Sequence, residues 1–264
     1  MEVIIRSDHR EASELTARLM ISALKENRAM VLGLATGRTM DMVYERLAAA
    51  FRSREIDFTE VRTFNLDEYI GLSPEDPSSY HHYMHERLFK HVNIRPENCH
   101  LPDGAAADIA AECAAYERKI AACGGIDLQL LGLGRAGHIG FNEPLSALLS
   151  RTRAKALNPV TIEQNRALFA DAARMPKRAI TVGIGTILES KRCIMLVTGA
   201  EKAEILARAV EGPISSMVSA TALQLHPRCT VIVDEAAAAK LTEKEYYRWI
   251  FDTEPEWEEY RRPA

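Results

Sequence analysis

The sequence predicts an α/β protein built on a mostly parallel sheet covered by helices on both faces. Three observations carry this. Short apolar runs of strand length recur along the 264 residues, with amphipathic or alanine-rich stretches between them. The runs are continuous rather than alternating, as in strands buried on both faces. Several end in small-residue turns that lead into polar residues, and open sheets hold ligands at the carboxyl ends of their strands.

In chain order, Val3–Ile5 is the first strand and Arg10–Glu26 the first helix. Val31–Ala35 is the second strand, followed by the turn Thr36-Gly37-Arg38-Thr39 and a helix over Met40–Arg52. Val61–Asn65 runs up to the adjacent carboxylates of Asp67 and Glu68. Ser78–His91 and Ala106–Ala122 read as helices, and Leu128–Leu133 as a strand that breaks into a glycine-rich loop. Ala179–Gly183, Ile194–Thr198 and Thr230–Val233 complete the strands, with a helix over Glu201–Glu211. Leu157–Pro176 has weak periodicity, is flanked by prolines and follows the glycine-rich loop, so it reads either as a mobile lid or as an ordinary surface helix with its turns. No repeat or low-complexity linker interrupts the chain, and one domain over residues 1–264 is expected.

Composition narrows the partners. Hydrophobic residues make up 47% and charged residues 27%, ordinary for a soluble globular protein. The net charge is −4 and no Lys/Arg-rich block occurs, which argues against nucleic acid. The N-terminus lacks the basic-then-apolar pattern of a signal peptide, and no run reaches membrane-spanning length. A cytoplasmic protein with no membrane partner is expected. The five cysteines are scattered without a CxxC pair, which reads as reduced thiols and no structural zinc.

Four loops hold the candidate chemistry. Residues 126–144, IDLQLLGLGRAGHIGFNEP, place His138 and Glu143 just past a strand. Gly132, Gly134 and Gly137 spell the dinucleotide fingerprint there, yet Gly140 and Pro144 forbid the helix it requires and no acid stands near Leu157, twenty positions on. A nicotinamide or flavin is therefore not expected. The Thr36–Thr39 turn before a helix is the recipe for an anion site, since backbone N–H groups and the helix dipole converge there. It lacks the GK[ST] ending of a nucleoside-triphosphate loop. At the third strand's end, either Asp67 or Glu68 is a candidate general base, or both face solvent. Lys202 stands at a helix start, where a cation opposes the dipole and a bound phosphate would explain it. His81 and His85 have metal-binding helical spacing but no third ligand, and are read with His82 as an exposed helix face.

Together these loops resemble the glucosamine-6-phosphate deaminase (isomerase) family across almost the whole chain. The matching segments are LGLATGRT at 32–39, TFNLDEYIGL at 63–72, SSYHHYM at 78–84, LLGLGRAGHIGFNEP at 130–144, SRTR at 150–153 and GAEKAE at 199–204. The resemblance implies a Rossmann-like three-layer α/β sandwich that converts glucosamine 6-phosphate and water to fructose 6-phosphate and ammonia without metal or cofactor. It makes Asp67 the general base that moves a proton from carbon 2 to carbon 1 through a cis-enolamine. His138 assists ring opening and Glu143 orients it, while Thr36, Gly37, Arg38, Thr39 and Lys202 hold the phosphate.

Some positions depart from the family pattern. Ala136 stands where Asp or Asn is usual, and Ala167 where a lid arginine binds phosphate, with Arg166 next to it as a substitute. Ile162 also replaces a lid arginine, and Arg38 and Met40 alter the anion loop. Some members are hexamers activated by N-acetylglucosamine 6-phosphate, so a homo-oligomer is one expectation. Ser146, Arg153 and Lys155 match that regulatory site, while Ala147 replaces one of its serines. The alternatives are the same chemistry on another amino-sugar phosphate, a 6-phosphogluconolactonase-like hydrolase, or a catalytically impaired sugar-phosphate sensor. FNLDEY argues against the lactonase, and the lack of room for a DNA-binding domain against the sensor.

Overall fold

A computed structural model describes residues 1–169 and 174–261. The elements run β1 (Glu2–Arg6), α1 (His9–Glu26), β2 (Val31–Leu34), α2 (Arg38–Arg52), β3 (Arg62–Asn65), β4 (Asp67–Tyr69), α3 (Tyr80–Arg87), β5 (Cys99–His100) and α4 (Ile109–Ala122). They continue as β6 (Leu128–Gly132), β7 (Arg153–Ala156), α5 (Pro159–Asn165), β8 (Arg178–Thr181), α6 (Ile184–Leu188), β9 (Arg192–Val197), α7 (Ala203–Val210), β10 (Cys229–Asp234) and α8 (Lys244–Thr253). The expected α/β sandwich is observed. Its central sheet has seven strands in the order β1-β10-β9-β6-β2-β3-β5, every neighbouring pair parallel.

Burial explains why these runs are strands. Val231, Ile232 and Val233 of β10 and Cys193 and Ile194 of β9 are 0% exposed, so both faces of each strand are covered. Helix starts follow local chemistry. The Asp8 side chain accepts from Glu11 N–H ahead of α1, Ser79 from His82 N–H ahead of α3, and Asp108 from Ala111 N–H ahead of α4. Pro159 sits in the first turn of α5 behind the Asn158 cap.

One strand belongs elsewhere than the sequence suggested. β8, within the run expected to join the parallel sheet, pairs antiparallel with β4 and β7 in a separate three-stranded sheet. A short apolar run reports burial, not its partner. In this small sheet Asp67 and Arg153 both lie opposite Thr181, one from each neighbouring strand. Directly opposed residues share a face, so Asp67, Thr181 and Arg153 form one row. A second apolar cluster, including Tyr69, Tyr80, Phe141, Leu157 and Phe169, packs beside it. Of the expected lid, residues 170–173 lie outside the described residues; its described part contains α5 and a short turn.

Candidate active site

β9, β6, β2 and β3 are consecutive neighbours in the central sheet, so the loops at their carboxyl ends meet at one edge. These are the loops that carry Lys202, His138, Thr36–Thr39 and Asp67. α2 begins one residue after Gly37, whose φ of +116° suits glycine, and no side chain caps the helix. A helix start without a side-chain cap favours an anion, although Met40 N–H already donates to Gly37 O at 2.8 Å. Thr36, Gly37 and Thr39 are half-buried, and Arg38 is exposed.

The glycine-rich loop is a set of turns with no helix between residues 133 and 152, as Gly140 and Pro144 required. Gly137 N–H donates to Gly134 O, and Gly134 N–H to His138 O, both at 2.9 Å, folding the loop back on itself. A Cβ at Gly134 would run into the imidazole at Nε2, so only glycine lets the ring lie on this backbone. His138 Nδ1 is 2.9 Å from Glu143 Oε2, and both residues are buried. The other Glu143 oxygen accepts from Asn158 N–H at 3.0 Å. Burial pushes the Glu143 carboxyl up, but the His138 contact and the Asn158 amide outweigh it and hold the carboxyl low. His138 therefore keeps an orienting partner although residue 136 is alanine.

Asp67 lies under this loop. A Cβ at Gly140 would stand 3.3 Å from Asp67 Oδ2, and Phe141 N–H donates to Thr181 Oγ1 at 3.0 Å. Arg153 Nη1 donates to Asn142 Oδ1 at 2.9 Å. The row Asp67–Thr181–Arg153 is thus the platform on which residues 140–142 rest. Burial first, and the Glu68 charge second, push the Asp67 carboxyl up to about 8, while the Phe141 amide pulls the other way. Lys202 Nζ donates to Leu133 O at 2.7 Å, which ties the cation to the start of the loop. Burial lowers its pKa to about 8, with Glu201 opposing and Arg135 assisting.

Not every expected group arrives here. Arg166 is exposed and pairs with Glu163 at 3.4 Å on its own segment. Ser146 is buried with its hydroxyl unpaired, and Arg153 Nη2 is also buried and unpaired, while Lys155 is half-buried on β7. The histidines depart from the exposed-face reading. His85 is exposed, but the His81 ring turns inward to Glu68 Oε2 at 2.9 Å. Glu68 is itself 1% exposed, so neither carboxylate of the pair faces solvent. Thr181 and Asn142 were not singled out from sequence; only the position of Asn142 beside Glu143 hinted at its part. Among the described residues, no group of three or more His, Cys, Asp or Glu is placed to hold a metal ion. No described helix is long and apolar enough to cross a membrane. A cavity of about 600 Å³ at Lys25, Arg28, Arg52 and Arg54 precedes β2 and β3, at the opposite sheet edge from these loops.

Fold and site define an open-sheet α/β protein that gathers an anion-ready helix start, a buried carboxylate and a histidine–glutamate pair at one edge. The family model for glucosamine-6-phosphate isomerases/6-phosphogluconolactonase matches residues 8–232. The glucosamine-6-phosphate deaminase of Shewanella loihica is 49% identical over 250 residues, covering 95% of this chain and 93% of its own. That of Hahella chejuensis is 50% identical over 250 residues, 95% of each chain. The solved structure of a monomeric glucosamine-6-phosphate deaminase superposes with a TM-score of 0.89 at 43% identity, over 91% of this chain and 100% of that one. The chain belongs to the glucosamine-6-phosphate deaminase family.

Proposed function

We propose that this protein converts glucosamine 6-phosphate and water to fructose 6-phosphate and ammonia. The observation that carries the reading is a buried Asp67 whose carboxyl lies against the His138–Glu143 loop and is pushed up to about 8. A carboxyl poised near neutrality can take a proton and return it, which an aldose–ketose shift demands of a single base. The phosphate is held by the Thr36–Thr39 amides and the Lys202 ammonium. His138, oriented by Glu143, passes a proton to the ring oxygen as the pyranose opens. Asp67 takes the proton from carbon 2 and delivers it to carbon 1. The nitrogen is left as an imine at carbon 2, where water adds and ammonia departs. Relatives with this activity at 49% and 50% identity support the substrate.

The described part of residues 157–176 acts in this reading as a lid. The start and end of α5 both touch site groups, Asn158 N–H on Glu143 and Asn165 Nδ2 on Tyr69 OH at 2.9 Å. The unpaired Ser146 hydroxyl and Arg153 Nη2 support an effector phosphate site that also includes Lys155. The test of function is product stoichiometry. Glucosamine 6-phosphate should yield ammonia and fructose 6-phosphate in equal amounts, and a phosphogluconolactone should be hydrolysed no faster than without protein. Lactone hydrolysis with no ammonia release would replace the deaminase by a lactonase.

A further inference from the structure

Helix α2 ends in a turn whose corner suits glycine. Glu55 N–H donates to Ala50 O and Arg54 N–H to Phe51 O, both at 2.9 Å, the paired closure of a Schellman cap. The residue at its left-handed corner is Arg54, with φ at +62°. A β-carbon is crowded there, so arginine costs free energy that glycine would not. Residues held this way at a cost cluster at ligand clamps. Arg54 lines the cavity of about 600 Å³ together with Arg28 and Arg52. The cavity floor is apolar, since Leu24 is 2% and Ile56 6% exposed. The two carboxylates on its wall are already engaged. Glu55 pairs with Lys25 at 2.6 Å, which ties this turn to the end of α1. Asp57 accepts from Thr59 N–H at 2.8 Å and from Asn93 Nδ2 at 3.0 Å. Among the described residues, the guanidinium groups of Arg28, Arg52 and Arg54 make no hydrogen bond and no ion pair. The helix dipole favours Arg52 in the last turn of α2, but it does not explain an arginine at the strained corner beyond.

We propose that this cavity is a second ligand site, which binds a diphosphate group between Arg28, Arg52 and Arg54. Three unpaired cations around one cavity repel one another, and an anion between them turns that repulsion into attraction. The apolar floor strengthens the attraction by keeping the local dielectric low. Guanidinium forks meet phosphate oxygens two at a time, so neighbouring phosphates suit three arginines better than a single point charge. The volume is of the size that small-molecule sites have, with room beside the diphosphate for a carbon body against Leu24 and Ile56. The whole chain carries a net charge of −4, so a cluster of free arginines is not the general character of its surface. The cavity lies ahead of β2 and β3, at the sheet edge opposite Asp67 and His138, and it does not depend on how that site is read.

Nitrogen-15 NMR on labelled arginine side chains reads the site directly. The Nε–H signals of Arg52 and Arg54 are assigned by their loss in Arg52→Gln and Arg54→Gly. Inorganic pyrophosphate and adenosine diphosphate are each titrated in, with sodium chloride at matched ionic strength as the control. Both diphosphates should move the two signals to saturation, and sodium chloride should not. The lower of the two midpoints tells whether the site takes the free anion or an ester of it. Arg54→Gly removes the cation from a turn that glycine fits, so the variant should melt no lower than wild type. Its Arg52 midpoint should nevertheless rise at least about tenfold, the loss of one charge-assisted contact. Arg28→Gln leaves the turn untouched and should raise the midpoint likewise. Lys202→Ala should leave the midpoints in place, because the phosphate loops are at the other edge. The proposal is overturned if neither diphosphate saturates the signals, if the Arg52 midpoint is unchanged in folded Arg54→Gly and Arg28→Gln, or if Lys202→Ala abolishes the shifts.

Discussion

Asp67, proposed above as the base, carries a stability penalty through its burial. Its folded-state pKa of about 8 lies above the ordinary carboxylate value. The folded protein therefore holds this proton more tightly than the unfolded chain, and the contribution is lost as pH rises through that value. Asp67→Asn cannot ionise and still offers an acceptor to the Phe141 amide. The variant should be more stable than wild type near pH 8, by a few kcal/mol, with the gap closing towards pH 4. Melting curves across that range check the sign. Gly134→Ala tests the neighbouring group. Its methyl would meet the His138 ring, so kcat should fall about 10²-fold with the circular dichroism spectrum unchanged. Lys202→Ala should raise KM at least about tenfold and leave kcat nearly unchanged, since phosphate is held equally in ground and transition states. An unchanged KM removes Lys202 from the phosphate site.

Among the elements, the small antiparallel sheet is what sequence reading could least foresee. Most strands of the central sheet were legible because they lie in continuous apolar runs, as in Val31–Leu34 and Ile194–Val197. β4, β5 and β7 read DEY, CH and RAKA, too short and too polar to show a period of two. The ends of α3 were overread for a related reason. Its expected span of Ser78–His91 shortens to Tyr80–Arg87, because Leu88 leaves helical geometry and a 3₁₀ turn follows. The candidate site was legible where residues sit on strand-end loops, as with Asp67, His138, Glu143 and Lys202. It was not legible where the partner is distant in sequence, as with Thr181 beneath Phe141 or His81 against Glu68. Ser79→Ala tests the α3 start. It should cost about 0.5 kcal/mol in urea denaturation, at the low end of cap losses because Glu68 still accepts the Tyr80 and His81 amides.

Across the whole molecule, the parallel order of the sheet makes the site possible. Strands β9, β6, β2 and β3 bring loops from residues 36 to 202 to one edge, and the small sheet supports the loop that crosses them. The family pattern at residue 136 is broken, yet Glu143 still meets the His138 ring, which is why catalysis is expected to survive the alanine. The most direct measurement is ammonia release from glucosamine 6-phosphate by wild type and by Asp67→Asn. Expected is release matched by fructose 6-phosphate from wild type, and a loss of about 10²–10⁴-fold in the variant. Equal release from the two proteins would contradict Asp67 as the base, and no release from folded wild type would contradict the deaminase itself.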